Sequence, residues 1–241
     1  MLSRYLPLFI ILTLIAEILG TVGGFGSSVF FVPIANFFLD FQSVLGITAL
    51  FHLASNLSKI AMFRKGLDKK VILQLGLPAV IFVIIGAFFS KYINPRLLTY
   101  ILGVFLILLS LVFLVFKNLK VKETLTNTIT GGVLSGLSAG VLGTGGAIRG
   151  ITLSAFKMDK NKFIATSAVI DLGVDFSRTI VYYFNGYMRK DLLYLIPILV
   201  VISLLGTWLG KLILNKISQE QFRFLVLILI LIIGITSLFF N

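Results

Sequence analysis

The sequence predicts an all-α polytopic membrane protein built from two homologous halves, residues 1–120 and 121–241, inverted relative to one another. Composition, uncharged runs of helix-spanning length and an internal repeat carry that prediction. Of the 241 residues, 58% are hydrophobic and 12% charged, with 23 Phe and a mean hydropathy of +1.08. That is more apolar surface than one soluble domain can bury. Val71–Ser90, Leu97–Phe116, Leu192–Gly210 and Phe224–Phe240 carry no charge, and each is close to the ~20 residues that cross hydrocarbon as helix. Backbone amides in lipid must be paired within their own segment, and these runs lack the two-residue alternation of a barrel strand, so they read as helices.

The repeat appears when the sequence is slid on itself so that Gly24-Phe25-Gly26-Ser27-Ser28 falls on Gly143-Thr144-Gly145-Gly146-Ala147. In the same register His52, Asn56 and Lys59 fall on Asp171, Asp175 and Arg178, and Pro78 on Pro197. With a one-residue adjustment Thr48 falls on Thr166, Gly66 on Gly186 and Gly86 on Gly206. Each half then reads as an apolar helix, a glycine break, a short apolar piece and three full spans. The short pieces, Ser27–Leu39 and Ala147–Phe156, reach only about 20 and 15 Å at the helical rise, too little to cross. A hairpin turning inside the membrane fits them. Such a hairpin starts and ends on one side, so three further spans leave each half on the side opposite its start, and the halves are inverted.

Loop charges agree with this topology. The inverted arrangement gathers Arg64, Lys65, Lys69, Lys70, Lys117, Lys120, Lys122, Lys157, Lys160, Lys162, Lys211, Lys216 and Arg223 on one side. It leaves Arg4, Lys91, Arg96, Arg189 and Lys190 on the other, whereas parallel halves split the same residues almost evenly. Excess Lys and Arg mark the cytoplasmic side, so both termini are expected outside the cytoplasm. The net charge of +12 is therefore a topological signal, and no nucleic-acid partner is expected. Zero Cys and a single His exclude disulfides, thiolate or iron–sulfur centres and a multi-histidine metal site; no cofactor or metal is expected. Arg4 followed by an apolar run resembles a signal peptide, but no small-x-small site follows, and the repeat makes that run part of the fold. The chain reads as a multi-pass protein of the plasma membrane.

The glycine breaks are the first candidate site. A helix interrupted in the membrane leaves amides at the start of the next segment, and these, with the positive end of its dipole, attract anions. Gly24, Gly26, Gly143, Gly145 and Gly146 let backbone approach a ligand, and Ser27 and Ser28 add hydroxyl donors. Two such breaks in inverted halves face each other near the midplane, where transporters built this way hold substrate. The plainer reading is close helix packing by small residues. The second candidate is ionisable. His52, Asn56 and Lys59, like Asp171, Asp175 and Arg178, follow an i, i+4, i+7 spacing that puts each trio on one helix face. Charges at that depth cost at least roughly 2.5–3.5 kcal/mol each, so they face protein or a wet cavity. Asp175 and Arg178 are one turn apart and can neutralise one another. Lys59 has no acid three or four residues away, which leaves it for an anion or an acid from elsewhere. Both Lys59 and Arg178 lie near span ends, where snorkelling is the alternative to binding. Arg149, just after the second break, offers bidentate donors for an oxyanion. Glu17 either pairs with Lys59 or Arg149 or carries a coupling proton, a role equally open to His52, Asp171 and Asp175.

Two copies of Gly-x-Gly-small-small before an apolar half-helix, Gly46-Ile47-Thr48-Ala49, Ala165-Thr166-Ser167 and the basic turn Arg64-Lys65-Gly66 resemble the sulfite exporter TauE/SafE family, also called 4-toluene sulfonate uptake permeases. The resemblance spans nearly the whole chain, with Arg149 standing where the family is generally aliphatic. It implies a secondary transporter of sulfite, organosulfonates or related sulfur-containing anions, exporting them across the cytoplasmic membrane. The expected site lies between the two breaks, with Ser27, Ser28, Thr48, Asn56, Thr166 and one or more of Lys59, Arg149 and Arg178 holding the anion. The lipid bilayer is the other partner, with a proton as candidate coupling ion and oligomerisation open. An anion channel or an uptake permease for another small organic anion is the alternative. No Walker loop is present, and no nucleophile–base pairing of an intramembrane enzyme is legible.

Overall fold

The computed structural model describes residues 2–24, 26–63, 66–116, 121–214, 216 and 219–239. Phe25 of the first break and the basic residues Arg64, Lys65, Lys117 and Lys120 lie outside the described residues, as does the side chain of Arg223. Within them the structure is helical throughout. Ten helices follow in order: α1 Leu2–Gly23, α2 Ser28–Asn36, α3 Phe41–Met62, α4 Lys69–Ser90, α5 Pro95–Val115, α6 Leu125–Leu142, α7 Gly146–Ser154, α8 Lys160–Phe184, α9 Leu195–Leu214 and α10 Gln219–Phe239. Among the described residues, α1 from Arg4, α3, α4, α5 and α9 are long and apolar enough to cross a membrane. The outward faces of α4 and α5 (Leu73, Leu77, Ile81, Phe88, Leu97, Val104, Leu108 and Val115) are exposed and apolar, as a surface against lipid must be.

Local chemistry explains where the helices begin. Asp40 caps α3 by accepting from the Ser43 amide at 2.9 Å. Asp159 caps α8 in the same way, accepting from the amides of Asn161 and Lys162 at 2.9 and 3.0 Å. These are equivalent positions in the two halves, and each satisfies donors that the first turn leaves free. The turns after the same two helices also correspond. Gly66 and Gly186 have φ of +81° and +79°, a conformation that only glycine takes without penalty. In α4, a π-helical turn at Ile72–Gly76 directly precedes Pro78.

The packing pairs the halves. Helix α4 lies on α6 and α1 on α9, α3 crosses α8, and α5 lies on α10. Exchanging α1–α5 for α6–α10 maps this set of neighbours onto itself. The α4–α6 seam is a glycine ladder: a methyl group on Gly132, Gly136 or Gly140 would sit 2.3–2.4 Å from a carbonyl oxygen of Leu75, Ala79 or Val83. In the α1–α9 seam the glycines are on the other helix, Gly206 and Gly210, and they make room for Glu17 and Thr21 of α1. Small residues let membrane helices approach this closely.

Three contacts set the direction of α3 against α8. Gly46, early in α3, lies under the Tyr187 carbonyl beyond the end of α8. Asn56 donates to Asp175 at 2.6 Å. The Asp68 amide, beyond α3, donates to Thr166 near the start of α8 at 3.1 Å. The helices therefore run antiparallel.

Candidate functional site

Both breaks are built around left-handed glycine. Gly24 and Gly26 have φ of +69° and +79°, and Gly143, which ends α6, has +76°. At Gly20 the chain doubles back so tightly that an added methyl would lie 2.3 Å from the Ser27 Cα. The breaks approach each other: a methyl on Gly26 would be 4.0 Å from the Gly146 Cα, and α2 touches α7. Helices α2 and α7 have nine residues each, about 14 Å at the helical rise.

Around the first break the side chains converge on Glu17, which is fully buried. Its carboxylate accepts from Ser27 at 2.5 Å, Ser55 at 2.6 Å, Thr207 at 3.0 Å and Thr21 at 3.4 Å. It also pairs with the Lys59 ammonium at 2.9 Å. His52 Nε2 lies 3.3 Å from the Ser27 hydroxyl, which places the break level with the middle of α3. Around the second break Arg149 forms an ion pair with Asp171 and donates to Ser167 at 3.2 Å. Arg178 pairs with Asp175 at 2.7 Å and donates to the carbonyls of Gly143 and Ala139 at 2.8 and 3.1 Å. Thr144 Oγ1 and Arg178 Nε are buried with no hydrogen-bond partner among the described residues.

All three cations singled out from the sequence are thus matched by carboxylates, two of them from a different helix. Asp175 and Arg178 neutralise one another within one turn, as their spacing allows. Glu17 takes Lys59 and leaves Arg149 to Asp171. Buried unpaired charge is expensive, whereas a paired and hydrogen-bonded one survives.

A small cavity of mixed polar and apolar lining lies between the first break and α8, lined by Gly20, Thr21, Gly24, Gly26, Asn56, Lys59, Ile164, Ser167, Ala168 and Asp171. The space open to the centre of a water molecule is about 20 Å³, and on the order of 10–15 Å³ holds one water. That is room for about one water. The lining comes from the end of α1, the first break, the last part of α3 and the first part of α8. Ser27 and Glu17 are not among the residues that line it. At the second break Gly143 packs against Leu45 and Val32, and Arg178 donates to its carbonyl. Thr48 donates to Val44 of its own helix at 2.6 Å, Thr166 serves the Asp68 amide, and Ser28 is buried; none of the three lines the cavity. Ser55 and Thr207 escaped the sequence reading, and Ser167 entered it only as part of the Ala165-Thr166-Ser167 stretch, not as a site residue. Ser55 and Ser167 stand four residues before Lys59 and Asp171 on the same faces, a signal that was available; Thr207 came from a distant helix and gave none.

Asp68, just before α4, pairs with Lys162 at 3.0 Å, tying α4 to α8. The Lys162 hydrogen bond holds the Asp68 carboxyl below its ordinary pKa, helped by the Val71 amide. A lowered carboxyl pKa contributes stability above the unfolded value of 3.8 and loses it as pH falls through the folded value. Asp68→Asn is expected to cost under about 1 kcal/mol near neutral pH. In thermal unfolding the gap to wild type should close below about pH 4.

Neither a search among curated proteins nor one among solved structures finds a match. Over residues 9–237 the sequence matches the profile described as sulfite exporter TauE/SafE. With membrane-spanning helices, glycine breaks that abut and buried ion pairs around them, the chain belongs to the sulfite exporter TauE/SafE family of membrane transporters.

Proposed function

We propose that this protein is a secondary transporter that exports sulfite, an organosulfonate or a related sulfur oxyanion across the cell membrane. The anion sits near the midplane beside the first break, against Gly24, Gly26, Ser27, Asn56 and Lys59. Arg149 and Ser167 reach it from the second half by way of Asp171. The observation that carries this reading is the small cavity whose walls include the Lys59 ammonium, Asn56, Ser167 and the first-break glycines Gly24 and Gly26. Those are the donors an oxyanion needs.

The two halves are proposed to be inverted repeats. Antiparallel packing of α3 on α8 supports this, as does contact between Asn56 and Asp175, which lie 119 residues apart at equivalent positions. Equivalent residues touch only where a pseudo-two-fold axis passes, and antiparallel partners put that axis in the membrane plane. Alternating access then exchanges the conformations of the two breaks. The first break, now beside a cavity, closes in the alternate state as a cavity opens beside the second.

Flux tests the reading. In proteoliposomes loaded with sulfite, Lys59→Ala and Arg149→Ala are expected to lose at least about tenfold in rate while still inserting as monodisperse protein. Unchanged flux in both removes this site. Flux without counterflow, indifferent to ion gradients, would point to a channel.

A further inference from the structure

We propose that Glu17 is a resident occupant of the anion site, and that substrate enters only together with a proton that neutralises it. The inference rests on the transporter reading above and specifies how that site is loaded.

Glu17 holds the donors that an oxyanion would use. One carboxylate oxygen accepts from Lys59 at 2.9 Å, Ser55 at 2.6 Å, Thr207 at 3.0 Å and Thr21 at 3.4 Å, and the other from Ser27 at 2.5 Å. Two carboxylate oxygens offer about four acceptor positions, so the group is saturated. The Lys59 ammonium also donates to Ser55 at 2.6 Å. Lys59, Thr21 and the first-break glycines line the cavity, so an arriving anion meets the far side of this cluster. Two negative charges sharing one ammonium in a buried site repel strongly, and one of them must take a proton.

The repeat shows that architecture alone does not require this carboxylate. In the second half the matching cation, Arg178, is neutralised by Asp175 on its own helix. The first half has Asn56 at that position and draws its acid from α1. The position equivalent to Glu17 is Gly136. Gly206 of α9 makes the space, since a methyl there would lie 2.7 Å from Glu17 Cβ and Cγ.

A proton has a route. Glu17, the Ser27 hydroxyl and His52 Nε2 form a line of contacts at 2.5 and 3.3 Å, and a hydroxyl both donates and accepts. The proton arrives at Glu17, its carboxylate becomes the acid, and Lys59 passes to the substrate; one anion and one proton are bound together. The charged groups around Glu17 are few. Helix α3 brings Lys59 and, through Ser27, His52. Helix α9 brings Lys211, one turn beyond Thr207, whose ammonium is given to the Met62 carbonyl at 2.6 Å. Helix α2 carries no charge, and neither does Val226–Phe239 of α10. Across the cavity Asp171 is held by Arg149.

Methanesulfonate, which stays fully ionised between pH 5.5 and 7.5, separates titration of the protein from that of the ligand. Binding to the purified full chain in nanodiscs is followed by thermal stabilisation. Wild-type affinity is expected to fall by up to about tenfold per pH unit over that range. Glu17→Gln should bind with no pH slope, and His52→Gln should keep the slope, since a relay changes rates and not the equilibrium. Proton uptake of about one per anion bound, read in weakly buffered solution at pH 7.5, needs no variant. A flat wild-type profile with binding present, or a Glu17→Gln protein that keeps the slope, overturns this inference and leaves the transporter reading standing. Absence of binding by wild type even at pH 5.5 overturns both.

Discussion

Arg178→Met is expected to destabilise the protein by roughly 3–5 kcal/mol, the cost of stranding one member of a buried ion pair. The guanidinium is 1% exposed and makes three connections at once: to Asp175 at 2.7 Å and to the carbonyls of Gly143 and Ala139 at 2.8 and 3.1 Å. Its loss leaves Asp175 with the Asn56 amide at 2.6 Å as its remaining side-chain donor. It also frees the Gly143 carbonyl at the end of α6, while Tyr182 still covers Ala139 and Gly140 at 3.2 and 2.8 Å. Arg178→Lys should recover only part of the loss, because a point charge cannot span a carboxylate and two carbonyls. The double variant Arg178→Met with Asp175→Leu should be more stable than Arg178→Met alone, since it removes the orphaned charge. Unfolding titrations of the three variants in detergent measure each term. A double variant no better than the single one would show that the cost lies in the lost carbonyl bonds and not in the charge.

Gly145→Leu is the second large effect. A methyl at Gly145 would stand 2.0 Å from the Ser135 carbonyl oxygen and 3.0 Å from the Ala139 Cβ, and both belong to the helix whose end turns into the break. Neither is the free tip of a flexible side chain. The hairpin must open, which separates α7 from α6 and draws Arg149 away from Ser167 and Asp171. Overpacking of this kind costs about 1–3 kcal/mol even for small additions, and leucine adds far more than a methyl. The expected result is loss of monodisperse protein or, if the chain inserts, loss of flux. Gly66→Ala is the matched control. It faces open space, so its cost is limited to the left-handed φ, on the order of 1 kcal/mol. A Gly145→Leu protein that behaves no worse than Gly66→Ala would show that the Ser135 contact does not control the hairpin.

The elements that could be read from sequence are those governed by one helix at a time. Uncharged runs such as Leu97–Phe116 announced spans because hydrocarbon thickness imposes a length. Asp175 and Arg178 announced their own ion pair because a helix brings residues three apart together. The short segments beginning near Ser28 and Gly146 announced themselves by length and by the glycines ahead of them. The Gly132, Gly136, Gly140 ladder was equally local, a glycine every fourth residue, and reading it would have placed α6 against a close neighbour.

Composition and spacing by themselves determined that the chain is helical, lies in a membrane and carries ionisable side chains within its apolar helices. Only the tertiary structure decided which acid Lys59 and Arg149 keep. Glu17 reaches Lys59 across a helix interface, Asp171 reaches Arg149 from α8, and a cavity lies beside the first break. Those choices depend on the depth and rotation of one helix against another. Both are set by how closely Gly206 or Gly136 lets two backbones approach, a distance that no periodicity along a single chain encodes.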